Sequence, residues 1–205
     1  TSPIIAGKLV AEGNQLFFNY GKSYLGRKDA IALYDIELPL QQGHLALLKG
    51  LNMPGCIRDG APDAWGRRVL INKKFGVKGV NANNFDLSEL TFLLESGSDR
   101  IGALDFQLSA TEYLPRSPIN GTLDELLQSA ERVENGIPLT AELDQALHHG
   151  SSIGGARPKA LIEQDSKKYI AKFSSSADIY SVVKLEFIAM HLAHLVGLNV
   201  APVTL

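Results

Sequence analysis

The chain has a single cysteine, Cys56. That excludes an intrachain disulfide framework and makes a reducing compartment the natural one. Long hydrophobic runs are missing too: nothing reaches the roughly 18 apolar residues of a membrane span. Thr1 to Lys8 does not resemble a secretory leader. Net charge is small, −2 from 20 Lys and Arg against 22 Asp and Glu. No general electrostatic affinity for nucleic acid or anionic lipid follows from it. Internal repeats and low-complexity tracts are also missing. The expectation is a cytoplasmic protein that binds neither membrane nor DNA directly. The chain does not begin with Met, so it is expected to be a trimmed piece or fragment.

What is present is an ordinary globular composition, 45% hydrophobic and 20% charged over 205 residues. That length suits one large domain or two small ones, with about 70% of the unfolded surface buried on folding. Ile4 to Val10 and Gln15 to Tyr20 flank Glu12-Gly13-Asn14, a hairpin signal. Tyr24 to Tyr34 reads as a further strand. Asp63 to Phe75 reads as a helix, with Pro62 before it and Gly76 at its far end. Leu87 to Leu94 reads as a second helix capped by Ser88, and Ile101 to Leu108 as a strand. Residues 109 to 121 are a linker candidate. Thr122 and Glu125 form a capping-box pattern opening a helix to about Glu134. Thr140 caps another, stopped by Gly150.

After Gly150 the character changes. The small-residue loop Ser151 to Ala156 leads to Lys159, followed by a turn at Gln164-Asp165-Ser166 and a strand from Lys168 to Phe173. A helix from about Ile179 to Val196 carries Val182, Val183, Leu185, Ile188, Ala189, Leu192 and Leu195 at helical spacing. Gly197 ends it, and Val200 to Leu205 starts a new strand. A glycine-rich loop, a strand lysine and a helix carboxylate are the parts of a kinase nucleotide lobe. Low side-chain bulk lets backbone N–H groups approach phosphates. A strand lysine pairs with the α- and β-phosphates, and a helix glutamate positions that lysine. Here the parts are Ser151 to Lys159, Lys172 and Glu186. Lys172 shares a strand face with Ile170, which suggests that it points into a cleft. The loop is neither a Walker A nor a G-x-G-x-x-G sequence. Each part also has a plain reading: a Gly-Gly turn, an edge lysine, a solvated glutamate. The spacing leaves both open.

The segments Ser152-Ile-Gly-Gly-Ala-Arg-Pro-Lys159, Ile170-Ala-Lys172-Phe and Glu186-Phe-Ile-Ala-Met-His-Leu-Ala193 together resemble HipA-like serine/threonine kinases. Their pattern runs S-x-x-G-x-(Q/R)-(P/E)-K, then K-(F/L), then E-(Y/F)-x-x-x-x-L-A. Gly197-Leu-Asn-Val-Ala-Pro202 is similar to the strand that follows in that family. Upstream, Pro62-Asp-Ala-Trp-Gly-Arg-Arg68 and Ile101-Gly-Ala-Leu-Asp-Phe106 are similar to further family segments, with Ala61 and Ala64 replacing the usual leucine and glycine. The resemblance implies an α+β fold. A β-rich N-terminal domain would cover residues 1–110, a helical connector 111–150, and an incomplete small kinase lobe 151–205. It also implies ATP contacts at Gly154, Gly155, Ala156, Arg157, Lys159, Lys172 and Glu186. Ser152 matches the autophosphorylated serine, with Ser151 as the alternative. Phosphate there adds roughly two negative charges, which would repel ATP from the same pocket. The family's catalytic and magnesium-binding residues are expected beyond Leu205. The chain would then hold no catalytic residue and no metal ligand, and the ATP pocket would have one wall. A helix-turn-helix antitoxin and a protein substrate in translation are the partners implied. The alternative is a non-catalytic, neutralising module of a split toxin–antitoxin system.

Other residues favour plain roles. Trp65 is expected to pack a helix on a sheet, given tryptophan's usual burial. His148 and His149 suit a solvated helix C-terminus. His191 and His194 lack the further ligands of a zinc site. Arg67-Arg68 reads as a surface pair, and Cys56 as a small hydrophobe.

Overall fold

The computed structural model describes residues 2–75, 87–100, 102–116, 121–147, 153–165 and 167–205. Ser151, Ser152, His148, His149, Gly76, Gly150, Ile101 and Ser166 lie outside them. The chain opens on an antiparallel hairpin of β1 (Gly7–Glu12) and β2 (Gln15–Tyr20), paired from Gly7 with Tyr20 to Glu12 with Gln15. Gly13 takes φ +59° at the first turn position, a left-handed conformation that glycine adopts without strain. Along β2 the period of two buries Leu16, Phe18 and Tyr20. They join Tyr24, Leu38, Leu45, Met53, Ile57, Ala61 and Leu93 in one core. Cys56 packs against that core. Burial, reinforced by Glu37, pushes its thiol up from the ordinary value.

The hairpin starts at Gly7, three residues later than expected, and Ile4 and Ile5 are exposed. The strand expected over Tyr24 to Tyr34 does not form. A helical turn, α1 (Lys22–Leu25), begins that segment, and only a single bridge joins Tyr34 to Leu38. Tyrosine hydroxyls take the place of a ladder there. Tyr24 donates to the Ile31 carbonyl at 2.9 Å, and Tyr20 accepts from the Leu33 N–H at 2.9 Å. The strand expected over Ile101 to Leu108 is likewise irregular over residues 102–108. Its backbone is held by side chains: Arg116 donates to the Phe106 carbonyl at 2.7 Å, and the Phe106 N–H donates to Asp105 at 2.8 Å.

After a short α2 (Gly55–Asp59), α3 (Ala64–Phe75) and α4 (Glu89–Glu95) follow. Ser88 caps α4, accepting from the Thr91 N–H at 3.2 Å. The linker candidate leads to α5 (Leu123–Glu134) and α6 (Ala141–Leu147). Thr122 and Glu125 close the reciprocal capping box at 3.2 and 2.8 Å. Thr122→Ala should therefore cost about 1 kcal/mol in chemical denaturation. Helices α3, α5 and α6 share a second core of Trp65, Val69, Leu126, Ala130, Val133, Leu147 and Ala160.

Ala160 lies on β3 (Lys159–Gln164), which pairs antiparallel with β4 (Lys167–Lys172). The chain closes with α7 (Val182–Leu195) and a left-handed Gly197, φ +83°. The apolar stripe of α7 is present but uncovered: no residue of the helix is buried. Residues 200–205 form no strand. The class is α+β, with two separate antiparallel hairpins and seven helices among the described residues.

Candidate functional site

An α-helix leaves its first N–H groups without intrahelical partners. In α3 one of these, the Trp65 N–H, donates to the Gly155 carbonyl at 3.1 Å. Just before the helix, the Asp63 carboxylate accepts the Gly155 N–H at 2.6 Å. The Trp65 indole N–H reaches the Lys159 carbonyl at 2.9 Å, and Arg68 reaches the Ala156 carbonyl at 2.5 Å. Four bonds from residues 63 to 68 thus hold the backbone of residues 155 to 159. Gly155 has φ +108°, and a Cβ there would lie 2.3 Å from Lys159 Nζ. The left-handed backbone conformation is what requires glycine, since the lysine tip could shift aside.

Lys159 and Lys172 stand directly opposite each other at the end of the β3–β4 ladder. Opposed residues of an antiparallel pair project from the same face, so both ammonium groups lie on one side. Lys159 is buried and donates to the Gly154 carbonyl at 2.5 Å, which puts the glycine loop on that side too. Burial, and then the neighbouring Lys172, pull the Lys159 ammonium below its ordinary value; Asp63 and Glu186 oppose them. Lys172 is bonded to Glu186 of α7. Both partners are half-exposed, and so are Ile170 and Tyr169 beside them. Lys172 therefore faces an open surface among the described residues. No described element covers Ile170. Arg157 turns away to Asp178 at 2.6 Å, which anchors the loop after β4. The carboxyl of Asp178 is held below its ordinary value by the Ser175 N–H and then by Arg157.

Residues 2–107, more than half of the chain, match the HipA N-terminal domain. The chain belongs to the HipA family. Residues 151–205, which carry the loop, both lysines and α7, match the HipA-like C-terminal domain. A comparison with curated proteins finds no match.

In this HipA-family chain, the geometry brings together Gly154, Gly155, Lys159, Lys172 and Glu186. Ala156 and Arg157 are exposed at the margin. Sequence reasoning missed Asp63 and Arg68 as partners of the loop. Arg67-Arg68 is not a free surface pair: Arg67 binds Glu89 through two bonds of 2.7 and 2.6 Å, and Arg68 holds Ala156. Trp65 is fully buried against β3, as its usual burial suggests. The Pro62-to-Arg68 segment was the available signal, but it did not name its partners 90 residues away. His191 stacks on Phe187 at 5.9 Å. No group of three metal-ligating side chains stands together among the described residues, and no described helix is long and apolar enough to cross a membrane.

Proposed function

We propose that this HipA-family chain carries the nucleotide-holding part of a serine/threonine kinase of the toxin–antitoxin type. ATP is held by Gly154, Gly155, Ala156, Arg157 and Lys159 of the loop, and by Lys172, which Glu186 positions. The single observation that supports the reading is the placement of two opposed lysines on the same side as the glycine backbone. A polyphosphate can accept charge-assisted hydrogen bonds from two adjacent cations at once. Phosphorylation of Ser152, or of Ser151, would regulate the loop by charge repulsion. Phosphoryl transfer also needs a base and a magnesium-holding carboxylate. We assign neither to this chain, so ATP turnover by these 205 residues alone is not expected. The division into an N-terminal domain (1–110), a connector (111–150) and a small lobe (151–205) belongs to the same proposal, as do a helix-turn-helix antitoxin and a translation-linked protein substrate.

Lys172→Met should weaken MgATP binding by about ten- to a hundredfold, since a hydrogen bond to a charged group contributes about 1.5–3 kcal/mol. Calorimetric titration reads this directly, and equal affinity in the variant would remove the reading. Mass spectrometry of the natural gene product after incubation with ATP should show one added phosphate, lost in Ser152→Ala. The uncovered apolar face of α7 favours a second reading, in which the chain is a binding module that neutralises a partner protein.

A further inference from the structure

The Gly155 N–H, at the left-handed turn of the loop, is the kind of donor a phosphate would take. It is already occupied by the Asp63 carboxylate, supplied from the N-terminal part of the chain. The same carboxylate is close enough to Lys159 to influence its charge, alongside Lys172 and Glu186. Asp63, Glu186, Lys159 and Lys172 sum to zero formal charge, so the loop is electrostatically satisfied without a ligand. A polyphosphate approaching the two lysines meets a like charge on the donor it needs.

The geometry points to Asp63 as a latch: a positioning residue that competes with nucleotide phosphate for the Gly155 N–H and must be displaced for nucleotide to bind. The inference rests on the nucleotide reading above. Displacement need not free the whole loop. The Trp65 indole stays on the Lys159 carbonyl at the root of β3, deep in the second core, and so acts as the hinge. Asp63 itself is exposed at the end of a helix and can swing into solvent. The N-terminal part of the chain would thereby set the affinity of a site built from residues about 90 positions later. Anything that moves the start of α3 would be felt at the loop.

The test is calorimetric titration of MgATP into the 205-residue chain and into Asp63→Asn, Asp63→Ala and Lys172→Met. Amide hydrogen exchange at Gly155 is followed without nucleotide. Asparagine keeps the size and removes the charge; alanine removes the acceptor. Thermal unfolding checks that each variant folds. Both Asp63 variants should bind about three- to tenfold more tightly, as expected for removing one like charge beside an anion near a protein surface. In Asp63→Ala, the Gly155 amide should exchange faster than in the wild type. Wild-type binding that is lost in Lys172→Met but unchanged or weakened in both Asp63 variants overturns the latch and leaves the nucleotide reading standing. Unchanged Gly155 exchange in Asp63→Ala also overturns it. No binding by any of the four proteins removes the nucleotide reading, and the latch with it.

Discussion

Trp65→Ala should destabilise the protein by about 3–5 kcal/mol, the cost of emptying a large buried aromatic site. Trp65 is fully buried and touches both halves of the chain. Its ring packs among Val69, Leu126, Ala130 and Ala160, while its two N–H groups hold the Gly155 and Lys159 carbonyls. Trp65→Phe separates the two contributions. It keeps most of the volume but strands the Lys159 carbonyl, for about 1–3 kcal/mol. Urea unfolding of both variants measures the difference. Near-equal losses would show that the indole bond and not the packing dominates. Because the bond sits at the root of the glycine loop, Trp65→Phe should also speed amide exchange over residues 155 to 160.

The second large effect is expected at Asp105. Arg100 has a side chain only 1% exposed, and Asp105 is its charge partner at 3.2 Å. Asp105 also accepts from Arg116 at 2.6 Å. The arginines extend the network to the Gly60, Leu93, Leu94 and Ser96 carbonyls. Asp105→Ala leaves a buried guanidinium without its counter-charge, a loss of about 3–5 kcal/mol. Burial alone would raise the Asp105 carboxyl. Hydrogen bonds from Ser98, Gln107 and the Phe106 N–H, with the charge of Arg116, outweigh it and hold the group below its ordinary 3.8. The folded value therefore lies below the unfolded one. The stabilisation is fully present above about pH 4 and is lost as pH falls through the folded value. Wild type should lose more stability than Asp105→Ala as pH falls from about 5 through the folded value of Asp105. Parallel losses in the two proteins would count against the pairing.

The Asp105 effect arises where the sequence was least legible. The Ile101-to-Leu108 segment alternates well enough to read as a strand, yet Arg116 claims its Phe106 carbonyl and Asp105 its Phe106 N–H. Tyr20 and Tyr24 do the same for residues 31 and 33. In each case a side chain outcompetes a neighbouring strand for the same donors and acceptors. Local pattern does not register such competition.

The caps, by contrast, were readable. Ser88, Thr122 with Glu125, Thr140 and Gly197 act through bonds spanning three to five residues, which a linear pattern contains. The β1–β2 pairing was readable for the same reason, since it turns on two residues. The amphipathic stripe of α7 was readable as helix, but nothing in its spacing said whether another element covers it.

The sequence by itself determined the α+β class, the hairpin and helix positions set by short-range bonds, and the motifs that resemble the HipA family. Only the tertiary structure decided that Asp63, Trp65 and Arg68 grip the glycine loop, and that Lys159 and Lys172 meet on one face. The physical reason is range. A cap or tight turn is closed by neighbours along the chain, whereas the site is closed by groups about 90 residues apart, brought together when α3 buries Trp65 against β3.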